Sequence, residues 1–398
     1  MTEKALAGLK VLDLGHYIAG PFCTKLLAGL GAETIKVENP KGGDPARKLP
    51  PFLNDEPHPE RSGLFLYLNT RKKDITLNFK SATGIKILKE LIRWADVMVD
   101  NFSPRVMPGF GLDYASVEKI NPALVMVSVT NFGLTGPYKD LKATDIVEYA
   151  LGGLMYMSGD PDREPLKHVG SQAQYQAGLN AFVASMAAAY MAKETGIGQQ
   201  VDISIMEVVN SLDEYGLITW EYQKQIYRRR GNIGGQHPWG LFPCKDGFVG
   251  IIASGASGWT RFMEMAGLPE LADEKFATAR SRIEHRDELD AILIPWLMEH
   301  TKQELYHAGQ AKGLPISFPR TAKDLLESPQ YKARGFWVDI DHPVAGRLTY
   351  PGAPAIMSGT PYEVGRAPLL GEHNEEVYCG LLGFSKEELV RLAGAGVI

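Results

Sequence analysis

Residues 9–38 read LKVLDLGHYIAGPFCTKLLAGLGAETIKVE, and their order decides the fold. Leu9 to Leu14 is a short apolar run of strand character. Gly20 and Pro21 open a helical stretch that continues to about Leu30, Gly31 closes it, and Thr34 to Glu38 forms a second apolar run. Strand, helix with proline at its start, glycine exit and second strand is the order of a parallel βαβ unit. The same grammar continues downstream. Lys73–Asn78 reads as a strand, Ser81 as the N-cap of a helix running to Trp94, and Val97–Phe102 and Leu124–Thr130 as buried strands. Such a series predicts an open, mostly parallel sheet flanked by helices.

Further along, Tyr175, Leu179, Phe182, Val183, Met186 and Tyr190 recur at helical spacing between small residues, which predicts a long, well-buried helix over Gln174–Lys193. Val201–Met206 reads as a strand and Glu207–Gln225 as a helix. The basic run Arg228, Arg229, Arg230 and the glycine-rich stretch Gly231–Gly240 then read as a boundary. Gly247–Ile252, helical segments between Trp259 and Gln310 and a short strand at Ile316–Phe318 make a second, smaller α/β unit of about 100 residues. Asp339–Gly359 is rich in Pro and Gly with interspersed strand signals and reads as a linker returning to the first unit. At the end, Ser385 and Glu388 form a capping box before the apolar positions Leu389, Leu392 and Ala393.

A chain of 398 residues is too long for one core and predicts two or three structural units. Hydrophobic residues at 44% and charged residues at 22% permit a large core without disulfides or metal. The three cysteines lie far apart, and the nine histidines show no HxxxH or HExxH spacing, so neither a disulfide framework nor a metal site is expected. A net charge of −5 with interspersed signs gives no basic face for nucleic acid. No apolar run approaches the roughly 20 residues of a membrane helix, and Met1–Lys10 does not resemble a signal peptide, so a cytoplasmic protein without a membrane partner is expected. Met155, Met157, Met186 and Met191 read as core filler.

Gly15–Pro21 would place backbone N–H groups and a helix N-terminus at the carboxyl end of a strand, where α/β proteins bind anions. The stretch lacks GxGxxG, and a tight turn needing small residues explains it equally. Leu68–Lys73 and Asn101–Arg105 lie at strand edges with polar and basic side chains able to hold a phosphate or cover an adenine. Lys72 and Lys73 themselves read as a solvated charge cluster. From residues alone the expectation is a soluble α/β protein that binds a phosphorylated ligand, with no reaction named.

Leu6–Leu14 with Gly20-Pro21 and Leu30–Glu38 strongly resembles the start of the class III CoA-transferases, the family of formyl-CoA transferase, carnitine CoA-transferase and α-methylacyl-CoA racemase. Gly43–Arg47, Leu68-Asn69, Asn101–Pro104, Gly136–Tyr138, the helix from Tyr175 to Lys193 with Gly196, Gly198 and Gln199, and Leu370–Asn374 occur in the family's order and spacing. The resemblance covers nearly the whole chain. It implies a large Rossmann-like α/β domain built from both chain ends (1–200 and 331–398), a linker helix (201–228), a smaller inserted α/β domain (229–330), and a dimer of interlocked rings. Coenzyme A or acyl-CoA would be a substrate, with no permanently bound cofactor. By the same resemblance His16, Tyr17 and Ala19 line the CoA-binding first turn. Leu68, Asn69, Thr70, Arg71, Asn101 and Phe102 line the nucleotide and pantetheine path, and Lys142 matches a CoA-contacting lysine. Asn39 and Gly109 stand where the family has phosphate-binding arginines, which leaves Arg47, Arg71 or Arg105 to substitute. Gly234, Gly235 and Gln236 resemble the family's mobile loop over the reacting thioester; an inter-domain turn is the alternative reading.

In this family an aspartate attacks the donor thioester to form a mixed anhydride, and CoA then passes through an aspartyl thioester to the acceptor carboxylate. A gap-free count from Lys142 through Gly152-Gly153 to Tyr175–Gly178 puts Gln174 at that aspartate, and a carboxamide is no nucleophile. The racemase branch uses a histidine and an adjacent aspartate; here these positions read Thr144 and Asp145, so Asp145 is a candidate without its histidine. Asp145 and Glu148 could not replace an aspartate at 174 without moving backbone. The expectation is therefore one subunit of a heteromeric transferase, acting on an acyl-CoA such as succinyl-CoA and a carboxylic acid, whose homologous partner chain supplies the aspartate. The alternatives are a homodimeric transferase, racemase or lyase working without the anhydride, and a catalytically silent CoA-binding homologue.

Overall fold

The structure, a computed structural model, describes residues 4–232, 234–353 and 355–398. The first three residues of the N-terminal stretch, Ile233 of the glycine-rich loop and Pro354 of the predicted return linker lie outside it. The chain forms two compact units: Met1–Leu154, Lys167–Glu214 and Gln330–Ile398 make one, and Met155–Leu166 with Tyr215–Pro329 the other.

In the first unit six strands, β1 (Lys10–Asp13), β2 (Glu33–Glu38), β3 (Lys73–Thr76), β4 (Val97–Asp100), β5 (Val125–Thr130) and β6 (Gln199–Ser204), form one sheet in the order β3-β2-β1-β4-β5-β6. Every pairing is parallel. β4 and β5 are buried along their whole length, as strands covered on both faces must be. The order reverses direction between β1 and β4, which opens a crevice beyond their carboxyl ends where such sheets bind ligands.

Helices α1 (Ala19–Gly29), α2 (Gly63–Leu68) and α3 (Ala82–Trp94) follow the first strands. Ser81 caps α3 by accepting from the Gly84 N–H, and Ile87, Leu88, Leu91 and Ile92 bury its inner face. Next come α4 (Asp145–Leu151), α5 (Gln172–Thr195) and α6 (Ile205–Ser211). The long helix predicted over Gln174–Lys193 is present as α5, but its buried face is not the predicted one. Ala173, Ala177, Gly178, Ala181, Ser185, Ala188 and Ala192 face inward, while Val183 is 60% and Tyr190 66% exposed. Small residues let α1 approach closely: a Cβ on Gly178 would lie 2.6 Å from the Ala19 carbonyl oxygen. Met191 is likewise exposed and Met155, Met157 and Met186 only partly buried, so the four methionines are not core filler.

The single helix predicted over Glu207–Gln225 is two. α6 ends where the Leu212 and Asp213 N–H groups turn back onto Val209 and Asn210, and α7 (Gly216–Gln223) starts afresh. The segment 201–228 opens not as a helix but as the body of β6. In the second unit β7 (Trp239–Cys244), β8 (Gly247–Ile252) and β9 (Ile316–Ser317) form an antiparallel sheet. Its core gathers Phe242, Val249, Ile251, Phe262, Phe276, Leu289 and Leu293.

The Pro- and Gly-rich stretch beginning at Asp339 is mostly a hairpin, β10 (Trp337–His342) and β11 (Gly346–Pro351), rather than a linker. Ile340, Ala345 and Tyr350 pack on Phe65 and Leu66, which gives the alternating residues a face to bury. The last segment closes the outer edge of β3. His373 N–H donates to the Asp74 carbonyl, Asn374 Oδ1 accepts from the Thr76 N–H at 2.9 Å, and the Tyr378 hydroxyl donates to the Thr76 carbonyl at 2.7 Å.

Candidate active site

The turn after β1 sits at the crevice between β1 and β4 and is fixed from three directions. Lys36 Nζ donates to the Gly15 carbonyl at 2.7 Å and pairs with Asp44 at 2.9 Å. Asn101, just past β4, accepts from the His16 N–H at 2.7 Å and returns its amide to the His16 carbonyl at 2.8 Å. Tyr17 has φ 59°, a conformation costly for a bulky residue, and donates its N–H to Asp44 Oδ1 at 3.1 Å. A Cβ on Gly15 would lie 2.9 Å from the Pro21 ring, so the turn admits no side chain there. The outcome is a rigid loop that presents the Tyr17 side chain, 47% exposed, beside His16, whose ring meets Phe102 edge-on at 5.1 Å. Burial, reinforced by Lys36, lowers the pKa of His16 and keeps the imidazole neutral.

Of the other predicted contacts, several are interior. Ala19, Leu68 and Asn69 are fully buried and Thr70 nearly so. Asn69 is spent on the Phe65 carbonyl and on Lys72. Lys72 itself is not solvated as the sequence suggested. It is 4% exposed and donates to Asp13 Oδ2 at 2.8 Å, to the Pro21 carbonyl and to Asn69. Burial lowers its pKa to about 8 against the pull of Asp13. Burial raises the Asp13 carboxyl, but Lys72 and Lys36 overcome it and hold the group below its ordinary value. Lys73, next along the chain, does reach solvent, between Glu33 and Glu376.

Arg47 cannot take the place of a phosphate-binding arginine, because it is fully buried and held by Glu38 at 2.7 Å and Glu60 at 2.6 Å. Arg71 pairs with Glu363 and lines a cavity of about 280 Å³ with Arg366 and His373. Arg105 is 76% exposed and bonded to Asp140 at 2.8 Å, two residues from the exposed Lys142. Of the predicted basic contacts, Arg105 and Lys142 are the ones most open to solvent.

The start of α5 lies against α4. Asp145, on the first turn of α4, accepts from the Ala173 N–H at 3.1 Å and so caps α5 in place of Ser171, whose side chain makes no cap. Lys167 Nζ bonds the other Asp145 oxygen at 2.9 Å. One turn on, Glu148 is fully buried and receives the Gln174 amide on both carboxylate oxygens, at 2.9 and 3.1 Å. With its amide oriented to satisfy both neighbours, Asn131, just after β5, donates to Glu148 Oε1 at 2.9 Å and accepts from the Ala143 N–H. Two neutral amides are thus the polar company of this carboxyl. Burial pushes its pKa up to about 7; the Gln174 hydrogen bond opposes the rise and the charge of Asp145 adds to it. The i, i+3 spacing of Asp145 and Glu148 was visible in the sequence, but their partners were not.

In the second unit the glycine loop is anchored at both ends. Asn232 accepts from the Leu241 N–H at 2.6 Å, and Gln236 accepts from Gly255 at the start of a helix at 2.8 Å. A Cβ on Gly234 would meet the Trp239 ring at 2.4 Å, whereas Gly235 faces open space. Among the described residues no group of three His, Cys, Asp or Glu could hold a metal ion, and no helix is long and apolar enough to cross a membrane.

The sequence matches CoA-transferase family III over residues 6–374. It is 37% identical to formyl-CoA:oxalate CoA-transferase of Streptomyces coelicolor, all of both chains being covered. It is 34% identical to succinyl-CoA–D-citramalate CoA-transferase of Chloroflexus aurantiacus, over 99% of this chain and 98% of the other. The crystal structure of a CAIB/BAIF family protein from Brucella suis superposes with a TM-score of 0.87 at 31% identity, covering 95% of this chain and 100% of that one. The chain belongs to CoA-transferase family III. Its six-stranded parallel sheet with a smaller α/β unit is the fold that the resemblance implied.

Proposed function

We propose that this chain transfers CoA between an acyl-CoA, succinyl-CoA among them, and a carboxylic acid, and that it does so as the subunit without the nucleophile, beside a homologous chain that carries the aspartate. The transfer is the reaction named for its relatives. Coenzyme A lies over the crevice of β1 and β4, against His16, Tyr17 and Phe102, with its phosphates toward Arg105 and Lys142. The glycine loop at Gly234, Gly235 and Gln236 acts at the thioester.

The observation that carries the division of labour is the Gln174 amide. It stands in the first turn of a helix whose dipole would favour a carboxylate, yet it is neutral, and its nitrogen is held by Glu148. The nucleophilic step needs an anionic oxygen that attacks the thioester carbonyl and expels CoA thiolate; the carboxamide supplies none. The exposed apolar residues Leu179, Val183, Tyr190 and Met191 on α5 support a second chain packed against this helix.

A second reading rests on Glu148, a buried carboxyl with a pKa near neutrality in direct contact with Gln174. In that reading Glu148 is the nucleophile once Gln174 swings aside and the backbone of α4 shifts to bring the buried carboxyl forward, and the chain works alone. One experiment separates the two. The chain is assayed for CoA transfer from succinyl-CoA to a panel of carboxylic acids, alone and co-expressed with an aspartate-bearing homologue, with borohydride trapping of any acyl-enzyme thioester. Activity only in the pair, with the trapped peptide from the homologue, is the expected result. Activity of this chain alone with a trapped peptide containing Glu148 would hand the chemistry to Glu148, and a trapped peptide containing residue 174 would sink both.

A further inference from the structure

The arginine run at 228–230 belongs to none of the chemistry above. Arg229 is used structurally: it donates to the Tyr156 carbonyl at 3.0 Å and to the Asp160 carbonyl at 3.2 Å, and so ties this segment to the arm 155–166 of its own unit. Its two neighbours are exposed where it is half-buried. Arg228 and Arg230 both line a cavity of about 660 Å³, within the range of small-molecule sites. No Asp or Glu contributes to the lining, and among the described residues neither guanidinium pairs with a carboxylate. Two uncompensated cations facing one cavity favour an anion.

Three aromatic residues, Tyr215, Tyr227 and Trp239, share the wall with Thr219, Gln223, Gln225 and Ile226. Tyr215 and Tyr227 stack with ring centroids 5.3 Å apart and planes 15° from parallel, and Arg230 lies 4.6 Å above the Tyr227 ring. A guanidinium lying over a ring keeps its N–H edge available to bind a carboxylate in the plane. Trp239 lines the cavity too, and Gly234 rests so close to its indole that no side chain could intervene. Three flat rings and two arginines in one lining fit a ligand that is itself part ring and part acid.

We infer that this cavity binds a carboxylate carrying an aromatic or other flat unsaturated ring, with the carboxylate on Arg228 and Arg230 and the ring against the tyrosine pair and Trp239. Its assignment as the acceptor acid rests on the transferase reading; the binding itself does not. The named acids of the relatives above, oxalate and citramalate, have no ring.

The test is calorimetric titration of the full-length chain, without acyl-CoA, using 3-phenylpropanoate and the ring-less butanoate. Wild type is expected to bind the ring acid saturably and at least about tenfold tighter than butanoate, and Arg228→Gln/Arg230→Gln to lose at least about tenfold of that affinity. Both arginines are exposed, so circular dichroism of the double variant should be unchanged. No saturable binding, or equal affinity in the double variant, overturns the proposal. Displacement of the ring acid by free CoA overturns it in favour of a nucleotide site. A changed oligomeric mass in the double variant with no change in acid binding overturns it in favour of a contact between chains. Because acyl-CoA is absent, failure of transfer leaves the binding result standing, and failure of binding leaves the transfer assay untouched.

Discussion

Glu148 lies one helical turn from Asp145 and touches Gln174, and its buried carboxyl changes how the fold responds to pH. Its ordinary value is 4.5 and the fold raises it to about 7, through burial first. Between those values the native chain keeps a proton that the unfolded chain has lost, so stability falls as pH rises from 4.5 to 7 and stays at the lower level above. Glu148→Gln removes this dependence. Urea denaturation at pH 5 and pH 8 should show the wild type losing, on the order of 3 kcal/mol, a contribution that the variant lacks; the same slope in both would show that Glu148 ionises normally. At this scale the sequence was a poor guide. Lys72 and Lys73 are neighbours of the same type, yet one is buried on Asp13 and the other solvated, because Asp13 is 59 positions away. Glu148 and Gln174 are separated by 26.

The elements were better read than their orientations. Every strand of the parallel sheet was legible, because a run such as Val125–Thr130, buried on both faces, carries its signal in consecutive residues. α5 was legible as a helix and misread as to its face. Period 3.6 identifies a stripe of large apolar residues, whereas the face that packs on α1 is defined by what it lacks. Gly178→Ala places a methyl 2.6 Å from the Ala19 oxygen and 3.2 Å from Phe22, and should destabilise the protein by about 1–3 kcal/mol in chemical denaturation. Gly235→Ala meets nothing within 4 Å and should stay within about 0.5 kcal/mol of wild type. Equal effects would contradict the close α1–α5 approach. The 337–351 hairpin showed strand signals but was read as linker for a different reason: proline and glycine around its end resemble one, and its apolar partners Phe65 and Leu66 lie far back in the chain.

At the scale of the molecule, the first unit is assembled from three separate lengths of chain and the second from two. Residues 330–398 supply the hairpin, the partners of Phe65 and Leu66, and the closure of β3. Expressed as 1–329, the protein should be insoluble or lack cooperative unfolding, while 215–329, which holds the whole core built on Phe262 and Leu293, should give a cooperative thermal transition of its own. A soluble, cooperatively folded 1–329 would show that the C-terminal segment is dispensable. The multi-unit plan followed from length, but no local pattern says that the last helix belongs with the first strands.

The closure of β3 by His373, Asn374 and Tyr378 also bears on how the protein is made. Asp74 leaves the ribosome 299 residues before His373. At the usual synthesis rate of roughly 5–20 residues per second the exposed flank of β3 waits roughly 15–60 s for its cover. During that interval each nascent chain offers an unpaired strand to its neighbours on the same message. Slow codons between 74 and 373 would lengthen the wait, and the yield of soluble protein should depend on chaperone supply during synthesis more than on the stability of the finished fold.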